Sequence, residues 1–158
     1  LGKVEDLIAE QDDLDSYTTK FRLWPTAWKT IEDLDDLEWK TIKFDEAELE
    51  GLPDVCGIYS FVINPTITNH PNRYLCYIGK TTRTIKERIR EYIYESNNPK
   101  GRPKVVRFLN KWRDNLEVTY IEIEENNVHA LEKRLNDAFL PPFQEKFSAE
   151  VNRKVNAF

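Results

Sequence analysis

The chain has 158 residues, 40% hydrophobic and 12% aromatic, enough apolar anchors for one core and too many for a chain that stays disordered. No run of about 18 apolar residues is present to cross a membrane, and the charged start lacks a signal-peptide pattern, so a soluble cytoplasmic protein is expected. The net charge of −5 conceals segregation: residues 1–55 hold 6 basic and 16 acidic side chains, residues 73–113 hold 12 and 3, and residues 114–158 hold 5 and 9.

In chain order, residues 3–10 and 25–35 read as short acidic helices, the second with Pro25 near its start and Trp28, Ile31 and Leu34 along one side. The stretch DDLDSYTTKF between them reads as a loop, and Trp39–Phe44 fits either a strand or a linker. After Gly51 and Pro53 comes the uncharged, β-favouring run Cys56–Ile63. The run Asn64–Asn72 has turn chemistry, and Tyr74–Ile78 resumes as a strand, so an antiparallel hairpin is predicted. Beyond Gly79 the apolar period lengthens to that of a helix: Ile85, Ile89, Tyr92 and Ile93 share a face, and Thr84 with Glu87 forms a capping-box pair.

A helix over about 85–95 follows. A second, after the break NNPKGRP, carries Val105, Phe108, Leu109 and Trp112 on one side and Lys104, Arg107 and Lys111 on the other. LEVTYIEIE reads as a third strand by its alternation. A helix over about 128–139 turns Val128, Leu131, Leu135 and Phe139 inward and ends at Pro141–Pro142. A short helix with Ser148 as its cap closes the chain. These elements predict an α+β fold, a small antiparallel three-stranded sheet flanked by helices, over residues 51–158. Residues 1–50 are predicted as an acidic, mainly helical N-terminal extension. The chain opens on Leu1 and holds no Met, so a natural start is expected upstream.

Several chemistries lack their residues. Gly79-Lys80-Thr81 has no earlier Gly at phosphate-loop spacing, so no nucleotide cofactor is expected. His70 and His129 lack metal-cage spacing and read as surface residues; Cys56 and Cys76 lack close partners and read as reduced spectators. What stands out is a pair of tripeptides, Gly57-Ile58-Tyr59 on the first hairpin strand and Tyr77-Ile78-Gly79 at the end of the second. Lys80 follows, Arg88 lies on the next helix, and Glu132 lies on a later one.

In this ordered pattern the chain resembles the GIY-YIG nuclease superfamily, over about residues 52–146. The resemblance implies a metal-dependent endonuclease acting on DNA. Its site would hold Tyr59, Tyr77, Lys80, Arg88 and Glu132, with Gln144 where the family has Asn.

The residues suit that chemistry. Phosphodiester hydrolysis needs a deprotonated water in line with the scissile bond, positive charge at the phosphate and help for the leaving oxygen. A single carboxylate such as Glu132 suffices for one hard cation, Mg²⁺ or Mn²⁺, whose remaining ligands are waters and phosphate oxygens. Arg88 can grip phosphate oxygens in fork geometry. By the resemblance one Tyr is the general base and the other assists, with Tyr59 favoured as the base. A phenol needs adjacent positive charge from Lys80, Arg88 or the metal to ionise near neutral pH. The plain alternative for both rings is cross-strand packing. Gly57 and Gly79 fit either close backbone approach or a simple turn.

Arg83, Lys86 and Arg90, with Lys100, Arg102, Lys104, Arg107, Lys111 and Arg113, form the candidate contact to the DNA backbone. The same counts also describe solvated helix faces. A second reading keeps the fold and loses turnover, leaving a nucleic-acid-binding or interaction module, because Gln144 carries one methylene more than Asn. In a third, the acidic extension either folds over the basic block as an autoinhibitory arm or is a solvated addition. One such site cuts one strand, so a double-strand break requires a dimer or two successive nicks.

Overall fold

The computed structural model describes residues 2–144 together with Val151 and Arg153. Strands β1 (Lys40–Lys43), β2 (Gly57–Ile63), β3 (Tyr74–Thr81) and β4 (Leu116–Glu122) form one antiparallel sheet in the order β1-β4-β2-β3. The helices are α1 (Val4–Ser16), α2 (Pro25–Trp28), α3 (Ile85–Ser96), α4 (Pro103–Lys111) and α5 (Glu125–Phe139). The predicted α+β class stands, but the sheet has four strands where the sequence predicts three. The added strand is β1, a four-residue edge in which only Ile42 is partly covered and whose partner lies in β4, Lys40 opposite Tyr120. So short and exposed a segment shows little alternation, and its pairing partner lies far along the chain.

The sheet is covered on both faces. Tyr59, Phe61 and Ile63 of β2, with Val118 and Tyr120 of β4, pack under Ile85, Ile89, Tyr92 and Ile93 of α3 and Phe108 and Leu109 of α4. On the other face Ile58, Ile78 and Ile121 meet Leu131 and Leu135 of α5, with Ile31, Leu34, Leu37 and Trp39 closing the side. Strand β2 is central and covered on both sides, so all seven of its residues are buried. That explains its uncharged sequence. Strand β3 is a sheet edge, and the segment after α5 lies along it, with Phe143 N donating to Cys76 O at 3.0 Å.

Three other expectations change. Helix α1 continues through DDLDS to Ser16, where a loop is expected, and none of its residues is buried. The second acidic helix is α for only four residues and then tightens into a 3-10 segment, Lys29–Leu34. Phe139 ends α5 on the outside, 39% exposed, because Leu140 turns left-handed (φ 46°) and takes the inward place. Of the predicted closing helix, only Val151 and Arg153 are described, both helical; Ser148 lies outside the described residues. No helix among the described residues is long and apolar enough to cross a membrane.

Candidate active site

The hairpin register positions the two tripeptides. Tyr59 pairs with Gly79 and Phe61 with Tyr77, so the rings of Tyr59, Phe61 and Tyr77 rise from the same face. Tyr59 lies 6.3 Å from Tyr77 between ring centroids. A side chain on Gly79 would fall 2.5 Å from the Cζ and Oη atoms of Tyr59, and one on Gly57 would strike the Ile121 carbonyl. Both glycines therefore serve close approach: Gly79 to the Tyr59 ring, Gly57 to the neighbouring strand.

Helix α3 supplies the charge. Its start is held by the capping box, Glu87 N donating to Thr84 Oγ1 at 3.0 Å and Thr84 N donating to Glu87 Oε2 at 3.4 Å. One turn on, Arg88 donates from Nε to the Tyr59 hydroxyl (3.2 Å), from Nη2 to the Tyr92 hydroxyl (3.2 Å) and from Nη1 to Glu91 Oε2 (2.9 Å). The Tyr59 and Tyr92 hydroxyls are themselves 3.0 Å apart. Burial, followed by the neighbouring phenols, pushes Tyr59 well above the ordinary phenol range, with Arg88 opposing. Tyr77 is raised for the same leading reason, with further contributions from Tyr92 and the charge of Glu132. In the free chain desolvation thus outweighs the guanidinium, and both rings are neutral phenols at neutral pH.

The carboxylate half of the site comes from the opposite face of the hairpin. Lys80 pairs with Ile58, which directs its side chain toward α5. There its Nζ donates to His129 Nδ1 and lies 3.8 Å from Glu132 Oε2. Asn136, one turn beyond Glu132 and 3% exposed, donates from Nδ2 to Glu132 Oε1 (3.1 Å), to the Glu132 carbonyl (3.1 Å) and to Ile78 O (3.4 Å). Glu132 is raised by burial, with Lys80 and His129 pulling it back. The two halves lie on opposite faces of edge strand β3, and the charge of Glu132 contributes to the raised titration of Tyr77.

Among the described residues no cluster of three or more His, Cys, Asp or Glu side chains exists to cage a metal. The donor set at Glu132 is one half-buried carboxylate with Oε1 oriented by an amide, which fits a hard cation that keeps most of its water.

Tyr92, Glu91, Asn136 and His129 join the site without a motif to announce them. Tyr92 reads as core in the sequence and is buried, yet its hydroxyl faces Arg88. Asn136 is signalled only as a polar residue within the apolar stripe of α5. Its amide joins α5 to the end of β3 through Glu132 and Ile78. Gln144 itself sits in the turn after α5, its N donating to Pro141 O at 3.1 Å.

The expected nucleic-acid contacts divide. Arg102 is clamped by Glu95 (Nε to Oε1 and Nη2 to Oε2, both 2.8 Å), Arg113 donates to Ser96 and Asn97, and Lys86 faces Asp54 (3.4 Å) and Glu50 (3.8 Å). Lys111 sits over the Tyr17 ring at 4.4 Å, and Arg83 pairs with Glu91 at 2.6 Å. Lys104 has a partner of its own. Arg90, Lys100 and Arg107 make no side-chain ion pair among the described residues.

A β-hairpin bearing the two tripeptides, an arginine on the helix that follows and a glutamate on a later one make this a catalytic domain of GIY-YIG type. The chain belongs to the GIY-YIG nuclease family: the family model described as the GIY-YIG catalytic domain matches residues 57–146. No curated protein and no solved structure matches it.

Proposed function

We propose that the chain is a divalent-metal-dependent endonuclease that hydrolyses phosphodiester bonds in DNA. The observation that carries this reading is the shared guanidinium of Arg88, bonded at once to the Tyr59 and Tyr92 hydroxyls. It ties the residue suited to a phosphate to the residue suited to a water. Tyr59 would take the proton of the attacking water as a phenolate, formed once positive charge at the loaded site overcomes the burial that keeps it neutral in the free chain, and Tyr77 would help orient that water. Arg88 neutralises the phosphate, Lys80 beside Glu132 adds positive charge there, and Gln144 takes the part of the family Asn. Glu132 holds the cation, which when bound supplies Lewis-acid charge at the phosphate and the leaving oxygen. Asn136 holds the carboxylate in register for it. Arg90, Lys100, Arg107 and Lys104 follow the DNA backbone.

Supercoiled plasmid with Mg²⁺ or Mn²⁺ tests the reading: nicked product is expected, and both Glu132→Ala and excess EDTA abolish it while much of the DNA binding is retained. Cleavage undiminished in either case removes the metal mechanism. The neutral phenols and Gln144 favour a second reading, a DNA-binding module without turnover. In that case the same plasmid is bound and never nicked.

A further inference from the structure

Three of the five N–H groups of the Arg88 guanidinium are engaged: Nε with Tyr59, Nη2 with Tyr92 and Nη1 with Glu91. A phosphate that approaches Arg88 competes with these partners for the guanidinium. Tyr59 and Tyr92 are buried, at 1% and 3% exposure, whereas the Glu91 side chain is 42% exposed. An anion arriving from solvent exchanges with Glu91.

The other oxygen of that carboxylate, Oε1, is 2.6 Å from Nη2 of Arg83. Arg83 comes from the turn before α3, so two guanidiniums from separate stretches of backbone converge on the two oxygens of one anion. This is the chemistry by which paired arginines hold a phosphodiester.

We propose that Glu91 is a placeholder for the substrate phosphate: its carboxylate spaces Arg83 and Arg88 in the free chain and yields both to a phosphodiester, which makes Arg83 a second substrate-binding residue. The inference rests on the nuclease reading and deepens it. Two guanidiniums without an anion between them repel each other, so the bridging carboxylate holds them at the spacing the substrate uses. The two arginine bonds outweigh slight burial and keep Glu91 below the ordinary carboxylate range. It is therefore ionised at working pH and competes with phosphate as a like charge.

The test compares wild type, Glu91→Gln, Glu91→Asp and Arg83→Ala. Binding to a short labelled duplex is measured in EDTA by fluorescence anisotropy, and plasmid nicking in Mn²⁺ gives kcat and KM. Glu91→Gln is expected to lower the duplex Kd and KM about fivefold, the scale of one screened surface charge pair, while kcat falls because the guanidiniums lose their spacing. Glu91→Asp, which keeps the charge, restores the wild-type Kd.

Arg83→Ala weakens binding and reduces the slope of log K against log salt by about 1. A thermal melt of each variant confirms folding. Unchanged or weaker duplex binding by folded Glu91→Gln overturns the placeholder and leaves the nuclease reading intact. Failure of wild type to bind or nick DNA overturns both.

Discussion

At the scale of single residues, Gly57 and Gly79 look alike in the sequence and do different work. A methyl on Gly79 lands on the Tyr59 ring, which can swing only by leaving Arg88 and Tyr92. On the proposed nuclease reading, Gly79→Ala is therefore expected to stay folded and to lose nicking activity by about 100-fold, the scale of a misplaced catalytic group. A methyl on Gly57 meets backbone, the Ile121 carbonyl, and cannot be accommodated by a rotamer. Gly57→Ala is expected to destabilise the β2–β4 pair by about 3 kcal/mol or more, the upper range for overpacking, read as a fall in urea midpoint. The tyrosines add a pH signature. Tyr59 and Tyr77 titrate above the ordinary phenol value when folded, so above roughly pH 10 the unfolded chain releases their protons first. Stability is flat below that pH and falls as pH rises toward the folded values, by up to about 1.4 kcal/mol per pH unit for each ring. Urea titrations from neutral pH upward show the decline, and Tyr59→Phe and Tyr77→Phe each reduce it. The motif named these two rings because their spacing is fixed by the hairpin. Tyr92 reads only as core in the sequence because one helical stripe serves both packing and hydrogen bonding, and only the fold separates a hydroxyl turned to Arg88 from one turned to solvent.

Among elements, α3 was the most legible: its cap, its apolar period and its length are local properties, and Ile85–Ser96 follows from them. Thr84→Ala removes the oxygen that accepts from Glu87 N and should cost about 1 kcal/mol, checked by denaturant unfolding. Strand β1 was illegible beyond an open alternative, since its four residues gain their structure from β4, more than seventy residues away. The end of helix α1 is not legible in the sequence because Asp and Ser favour turns as well as helix caps, and no buried face marks where it stops. The basic block shows the same limit. Composition counts Arg102 and Arg107 alike, yet Arg102 joins the loop before α4 to Glu95 of α3 in fork geometry, whereas Arg107 has no ion-pair partner among the described residues. Arg102→Ala is expected to lower stability by about 0.5–1 kcal/mol, the upper end for a solvent-screened pair. Arg107→Ala should leave the thermal midpoint in place and weaken DNA binding, in a manner that steepens with falling salt.

Across the whole molecule, charge and packing divide the acidic N-terminal stretch into two parts. Residues 31–39 close the core under α5, with Asp33 bonded to Arg134 at 2.6 Å, so truncation through residue 39 opens that core. Residues 2–16 bury nothing, and with one basic and six acidic side chains they carry a net −5, equal to the charge of the entire chain. They are tethered beside the basic helix: Tyr17 meets the Trp112 ring edge-on at 5.1 Å, and Lys111 lies over Tyr17. A helix that packs on nothing affects DNA binding only through its field, which is screened over about 10 Å at 0.1 M salt. Deleting residues 2–16 is therefore expected to leave the thermal midpoint unchanged and to tighten DNA binding at low salt, with the two proteins converging as salt rises. A tightening that persists at high salt would instead identify a direct contact between α1 and the basic face. Anisotropy titrations of both proteins across a salt series distinguish a screened field from an arm that must be displaced.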